Sequence, residues 1–372
     1  MPPPQEKAKP TVGDGIDAEL EAAVSEVFDI ARIERAPAPH IRASYTGRLR
    51  IDSETAYDRL DAVFKRLNFH VVLTTDEHGQ HIVMALKGRT TPKPRKLWPH
   101  LLLLGLTMLS LLLVGAEHYA GMHDSNEIVL WRGLPYALSI IFILGAHELG
   151  HYFAARYHHV NVTLPYFIPL PLGFFGTLGA FIQLREPMRN RKVLFDVGAS
   201  GPLAGFVVAL PILMIGLATS DIKPLPTEDY IIEGDSLLYA TAKFAVFGEF
   251  LPNNDEDVFI NQLAKAGWTG LFITGLNLIP LGQLDGGHVV LTLLGRHARR
   301  LYLPVLGTFL VLSLFNSAWL VWTLLLFMLG RVYAVPLDTV TELDQRRRWL
   351  AYTTLMIFVL VFVPNPLRIV EL

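Results

Sequence analysis

The chain has 372 residues, of which 51% are hydrophobic and 18% charged, against roughly 45–50% and about 25% in soluble domains. Uncharged runs near the ~20 residues that cross a bilayer recur from Leu97 onward, so the composition is that of a polytopic membrane protein. A formal charge of -2 argues against nucleic acid as a partner, and without cysteine there is no disulfide framework and any metal must be held by His, Asp or Glu.

In chain order, "MPPPQEKAKPTVGDG" is Pro-rich and charged, the composition of a disordered segment. Leu20, Val24, Val27 and Ala31 recur at helical spacing over 17–34. Residues 1–40 are therefore expected to be a disordered, partly helical N-terminal segment. Residues 41–90 read as a small α+β domain. "YTGRLRI" predicts a strand, and Ser53 a cap for a helix carrying Tyr57, Leu60, Val63, Phe64 and Leu67 on one face. "HVVLTTD" and "HIVMALK" predict a hairpin. "KGRTTPKPRK" is a basic tether into the first span, and the polar stretch ahead of it leaves no cleavable signal peptide to expect.

Residues 91–372 form the membrane domain. Spans are expected at about 97–116, 133–157, 193–219, 258–279, 300–315, 317–334 and 349–365. The fifth and sixth meet at Asn316-Ser317 and could be one bent unit, which leaves six or seven helices. Basic residues set the orientation. Lys87, Arg89, Lys93, Arg95 and Lys96 precede the first span, Arg185, Arg189, Arg191 and Lys192 the third, Arg296, Arg299 and Arg300 the fifth, and Arg346, Arg347 and Arg348 the last. The loops at 117–132 and 220–257 are acidic. This alternation places the N-terminal domain in the cytoplasm and the protein in the plasma membrane as a multi-pass chain.

Inside the second span stands "GAHELGHYFAAR", in which His147, Glu148 and His151 spell HExxH. The i, i+4 spacing puts both imidazoles on one helix face, with Glu148 beside them toward a water that a metal would hold. Ionisable groups at membrane depth cost on the order of 2.5–3.5 kcal/mol each, so three together need a shared purpose. A catalytic zinc takes three protein ligands and keeps one position open. "GLNLIPLGQLDGGHVV" supplies the third candidate, Asp285. Asp-Gly-Gly alone is a turn signal. At the end of the fourth span, level with HExxH, it reads as a ligand.

With these two motifs in view, the sequence resembles the site-2 proteases, zinc enzymes that cut transmembrane substrates and carry HExxH with NxxPxxxLDG. Here these stand as "HELGH" and "NLIPLGQLDG", Asn277 to Gly286. Within that family it is most similar to the branch named after ethylene-dependent gravitropism deficiency in plants, which has bacterial members. "LPYFIPLPLGFFGTLGAFIQL", "DVGASGPLAG" and "GRLR" at Gly47 to Arg50 carry this likeness. The 220–257 loop is too short for the PDZ-like insertion of other site-2 proteases. The resemblance implies one zinc per chain on His147, His151 and Asp285, with Glu148 as general base. It implies that Asn277 contacts the substrate backbone or the developing oxyanion. The implied partners are a single-span membrane-protein substrate and the lipid bilayer.

Pro165, Pro169, Pro171, Gly173, Gly176 and Gly179 forbid a continuous helix over 162–184. Such backbone lies at membrane depth only if buried or lining a wet cavity. A re-entrant hairpin whose edge pairs with an unwound substrate fits; a cytoplasmic loop is the plainer alternative. Gly201 and Gly205 form a GxxxG match read as close helix packing. Asp196 reads as an interfacial cap, and His158 and His159 as interfacial. His288 is outside the site set, and His70, His78 and His81 are surface residues. Trp319 and Trp322 read as an interface anchor. The rival functions are an inactive scaffold of the same fold and an ion-coupled transporter. The scaffold would lack a ligand or the base, and the transporter predicts inverted repeats that are absent from the sequence.

Overall fold

A computed structural model of the chain describes residues 12–89, 96–123, 125, 127–171, 173–226, 230–253 and 255–370. The first 11 residues of the expected disordered segment, and Lys93 and Arg95 of the tether, lie outside the described residues. The chain divides into two compact units.

The first unit comprises Met1–Lys93, Pro187–Lys192 and Val335–Glu342. Its elements are α1 (Val12–Val27), β1 (Phe28–Ala38), β2 (Ile41–Leu49), α2 (Ser53–Arg66), β3 (Phe69–Thr75) and β4 (His81–Lys87). The strands form an antiparallel sheet in the order β1-β2-β4-β3. Leu20, Val24 and Val27 of α1 and Tyr57, Leu60 and Phe64 of α2 are buried on the sheet with Tyr45, Val71 and Leu73. The helix expected to reach residue 34 ends at Val27, and the next 11 residues are a strand. Phe28 closes the core there, and the following backbone satisfies its hydrogen bonds against β2. Asp52 rather than Ser53 caps α2, its carboxylate accepting from the Thr55 amide at 2.9 Å. "GRLR" has a local purpose. A Cβ on Gly47 would stand 1.9 Å from the Asp29 carbonyl oxygen, and the Arg50 guanidinium pairs with the Asp29 carboxylate at 2.7 Å.

Two segments expected within the 91–372 domain belong to this unit instead. The amide of Leu73 donates to Leu337 at 2.8 Å, and Thr339 donates back to Leu73 at 2.9 Å. Leu337 and Asp338 donate in turn to Met188 and Arg189 at 2.9 and 2.7 Å. Glu54 of α2 holds Lys192 at 2.7 Å. These are long-range pairings, which no local sequence pattern marks.

The second unit comprises Pro94–Glu186, Val193–Ala334 and Leu343–Leu372. Its helices are α3 (Trp98–Met122), α4 (Leu134–Tyr157), α5 (Arg191–Ala218), α6 (Leu237–Phe247), α7 (Gln262–Asn277), α8 (Asp285–Leu294), α9 (Tyr302–Phe315), α10 (Ala318–Leu329) and α11 (Gln345–Val361). Short antiparallel ribbons join β5 (Tyr166–Pro169) to β6 (Thr177–Phe181), β7 (Asp221–Pro224) to β9 (Glu256–Phe259), and β8 (Tyr230–Glu233) to β10 (Leu367–Val370). Among the described residues, four stretches are long and apolar enough to cross a membrane: Trp98–Met122, Leu130–Tyr157, Arg191–Ala218 and Asp285–Phe315. Within the expected spans at 258–279, 317–334 and 349–365 stand helices of 16, 12 and 17 residues, at or below the lower end of the roughly 17–25 residues that cross a bilayer. Asn261 caps the start of α7 through the amides of Leu263 and Ala264 at 3.0 Å, and the turn bearing Pro280 and Gly282 ends it. The fifth expected span is the second half of a longer run, α8 and α9 joined through a tight turn at Gly295–Leu301.

The Pro- and Gly-rich segment is a hairpin. β5 pairs with β6, and its tip rests on the middle turns of α3, where the Ser110 hydroxyl donates to the Gly176 carbonyl at 2.6 Å. The Tyr136 hydroxyl holds the neighbouring Phe175 carbonyl at 2.8 Å, and His100 stacks on Tyr166 at 4.0 Å. Trp319 is buried, its indole N–H donating to Pro364 at 2.7 Å. It packs in the core and does not serve as an interface anchor.

Candidate metal centre

α4 is mostly apolar and carries His147, Glu148 and His151 in its fourth and fifth turns, all buried. Asp285 opens α8 and comes back to the same point, because the chain reverses between Asn277 and Asp285. That reversal is tight: a Cβ on Gly286 would stand 1.9 Å from the Leu278 carbonyl oxygen, and Gly282 has φ +62. The result is a triangle of ligand atoms. His147 Nε2 lies 3.2 Å from Asp285 Oδ2, His151 Nε2 lies 3.3 Å from the same oxygen, and the two Nε2 atoms are 3.2 Å apart. These three residues are the group among the described residues whose donor atoms could hold a metal ion.

The triangle fits zinc. Ligands at about 2.0–2.1 Å in a tetrahedron stand about 3.3 Å apart. The His151 Nδ1 lies 2.6 Å from the Val197 carbonyl oxygen, which accepts a hydrogen bond from Nδ1–H and leaves Nε2 to present its lone pair. That lone pair faces a carboxylate oxygen and a second imidazole nitrogen, a convergence that a cation relieves. The neighbouring helix makes room for it. A Cβ on Gly201 would stand 2.1 Å from His151 Nε2, and one on Gly205 would stand 3.1 Å from His147 Nδ1. The GxxxG match therefore does pack α5 closely on α4, and the space it leaves is filled by the two imidazoles.

Glu148 lies between the histidines on α4, with the backbone amide of Ile182, just past β6, beside its carboxylate. The Asn277 side-chain nitrogen is 3.4 Å from His147 Nε2. All five candidate site residues thus meet at one point. An open cleft of about 720 Å³ adjoins it, lined by Tyr166, Phe181, Gln183, Gln283 and His288.

Residues 135–314, which hold every one of these groups, match peptidase family M50. Curated relatives agree. The "Probable zinc metalloprotease EGY2, chloroplastic" of Oryza sativa subsp. indica is 32% identical over 245 residues, 65% of this chain and 44% of that protein. The "Probable zinc metalloprotease EGY1, chloroplastic" of Arabidopsis thaliana is 33% identical over 243 residues, 62% of this chain and 43% of that protein. The "Probable zinc metalloprotease EGY3, chloroplastic" of Oryza sativa subsp. japonica is 27% identical over 182 residues, 44% of this chain and 30% of that protein. The chain spans less than half the length of these relatives. No solved structure matches it.

Other polar residues of the matched region and its flanks serve packing. Asp196 is an ion-pair hub within α5, not an interfacial cap. It binds His158 at 2.8 Å and Arg347 at 2.6 Å, tying the end of α4 and the start of α11 to α5. His288 is half-buried, with its Nδ1 buried and unbonded, and its Cβ fills the space that Gly198 leaves. The motifs gave no hint of the Ile182 contact to Glu148, because a backbone donor has no sequence signature.

Proposed function

We propose that this protein is a zinc-dependent intramembrane endopeptidase that hydrolyses peptide bonds in or near the transmembrane segment of a single-span membrane protein. The observation that carries the reading is the convergence of three lone-pair atoms, with Glu148 beside them, in helices apolar enough to lie in a bilayer. One zinc per chain would be held by His147, His151 and Asp285. When bound, it supplies Lewis-acid polarisation and a more acidic water. Glu148 accepts the proton of the attacking water and returns it to the leaving amine. Asn277 offers a neutral donor to the substrate carbonyl, strengthened by the low dielectric around it. The hairpin of β5 and β6, seated against the middle of α3, supports a re-entrant reading, with its edge and the adjoining cleft receiving an unwound substrate. The basic-residue pattern supports a cytoplasmic first unit in a multi-pass chain, and the membrane we assign to it is the plasma membrane.

Cleavage of a single-span substrate by the detergent-purified full chain tests this. Glu148→Gln should keep zinc and fold while turnover falls by about 10²–10⁴. Asp285→Ala should lose zinc by elemental analysis. Undiminished turnover in the first variant would remove Glu148 as the general base; no cleavage by the wild type would favour the inactive scaffold or the transporter; full zinc in the second would remove Asp285 from the ligand set.

A further inference from the structure

A second polar site lies elsewhere in the same unit, and it does not depend on the reading above. Lys265 stands three residues into α7, 12 positions before Asn277, or about 18 Å along the helix axis. Its side chain is 5% exposed. The ammonium sits 4.3 Å from the ring centre of Phe174 and 5.6 Å from that of Tyr136, and it makes no hydrogen bond or ion pair among the described residues. It faces a cavity of about 190 Å³ whose apolar wall includes Met122, Phe174, Ile232 and Val258.

The acids on that wall are engaged elsewhere. Glu233 accepts from the Tyr239 hydroxyl at 2.7 Å, and Asp257 accepts from the Val258 amide at 2.8 Å. His118 is committed to the Ile260 carbonyl oxygen at 2.9 Å. A buried ammonium with three donors and no anion in contact among the described residues is costly to maintain, and faces such as Phe174 offset only part of that cost. We propose that this cavity binds a singly charged carboxylate carrying a small apolar group, with Lys265 as its counter-ion. A cation would meet the ammonium. A doubly charged anion would exceed the single positive charge and face Glu233 and Asp257. The carboxylate could belong to a free short-chain acid or to the C-terminus of a peptide.

Titration calorimetry on the full chain in detergent separates these. Butyrate and a short apolar peptide with a free C-terminus are the probes; butyramide and the amidated peptide are their neutral counterparts. Saturable binding of at least one acid, with its neutral counterpart bound about tenfold more weakly or not at all, is the expected result. Butyrate alone points to a free acid, and the peptide alone to a chain terminus. Lys265→Met should weaken binding at least about tenfold. Met122→Trp, which keeps the lysine but fills the cavity, should do the same with zinc content unchanged. Absence of saturable binding, equal binding of acid and amide, or wild-type affinity in the folded variants would overturn the proposal.

Discussion

A single hydrogen atom decides the spacing of α4 and α5 at the metal centre. Gly201 passes so close to His151 that a methyl group in its place would overlap Nε2, the atom that faces Asp285. Gly201→Ala should therefore push the imidazole off the ligand triangle, with zinc content and cleavage both falling at least about tenfold while the helices remain folded. Gly205→Ala, whose methyl would lie 3.1 Å from His147 Nδ1, should cost much less. Elemental analysis beside circular dichroism reads both. Away from the membrane spans, burial pushes the Glu233 carboxyl from its ordinary 4.5 up to about 7, with the Tyr239 hydroxyl bond pulling the other way. Between those values the folded protein keeps a proton that the unfolded chain has released. Stability from this group is thus fully present below pH 4.5 and is lost as pH rises through 7, by on the order of 3 kcal/mol. Glu233→Gln should flatten that part of the profile, as thermal unfolding in detergent at pH 5 and pH 8 would register. An unchanged slope would place the titration elsewhere.

The hairpin is the element on which substrate presentation turns. A transmembrane helix satisfies its peptide groups internally, so hydrolysis needs local unwinding, and groups freed in lipid cost several kcal/mol each. An edge strand beside Glu148 offers partners for them. Gly176 has φ +74 and would bring a Cβ 3.1 Å from Leu111. Gly176→Val should therefore lift the tip from α3 and slow cleavage, with zinc retained. Crosslinks from positions 174–182 to substrate trapped on Glu148→Gln should map to the scissile region; crosslinks elsewhere only would make the hairpin a purely structural loop. This element was legible because proline and glycine exclude helix on local grounds. The ligand motifs were legible because i, i+4 spacing and a turn signal are local too. Helix length was not. Hydropathy over 258–279 and 317–334 marks apolar residues, whereas the cap at Asn261, the reversal after Asn277 and the break at Asn316 set where helices begin and end. β1 escaped for the opposite reason: Leu20, Val24 and Val27 continue a helical rhythm, and only pairing with β2 makes the next residues a strand.

At the scale of the whole chain, the first unit constrains how many times the polypeptide crosses the bilayer. Residues around Leu73, Met188 and Leu337 are joined by backbone hydrogen bonds within one compact body, and a bilayer cannot divide such a body without stripping those groups of their partners. The N-terminal domain, 187–192 and 335–342 must therefore share one side, and the number of crossings between successive members must be even. Between the domain and 187, α3 and α4 supply two. Between 192 and 335, α5 and the run Asp285–Phe315 supply two, so α7 and α10 either both cross or both do not. On the orientation proposed above, this is the side that carries the basic residues at 185–192. The chain contains no cysteine, so single-cysteine variants report cleanly. In oriented vesicles, a membrane-impermeant maleimide should label Glu77→Cys and Glu342→Cys, both exposed, from the same side. It should label Asp221→Cys, which follows α5, only from the other. Labelling of Glu77→Cys and Glu342→Cys from opposite sides would break the parity and require a different set of crossing helices.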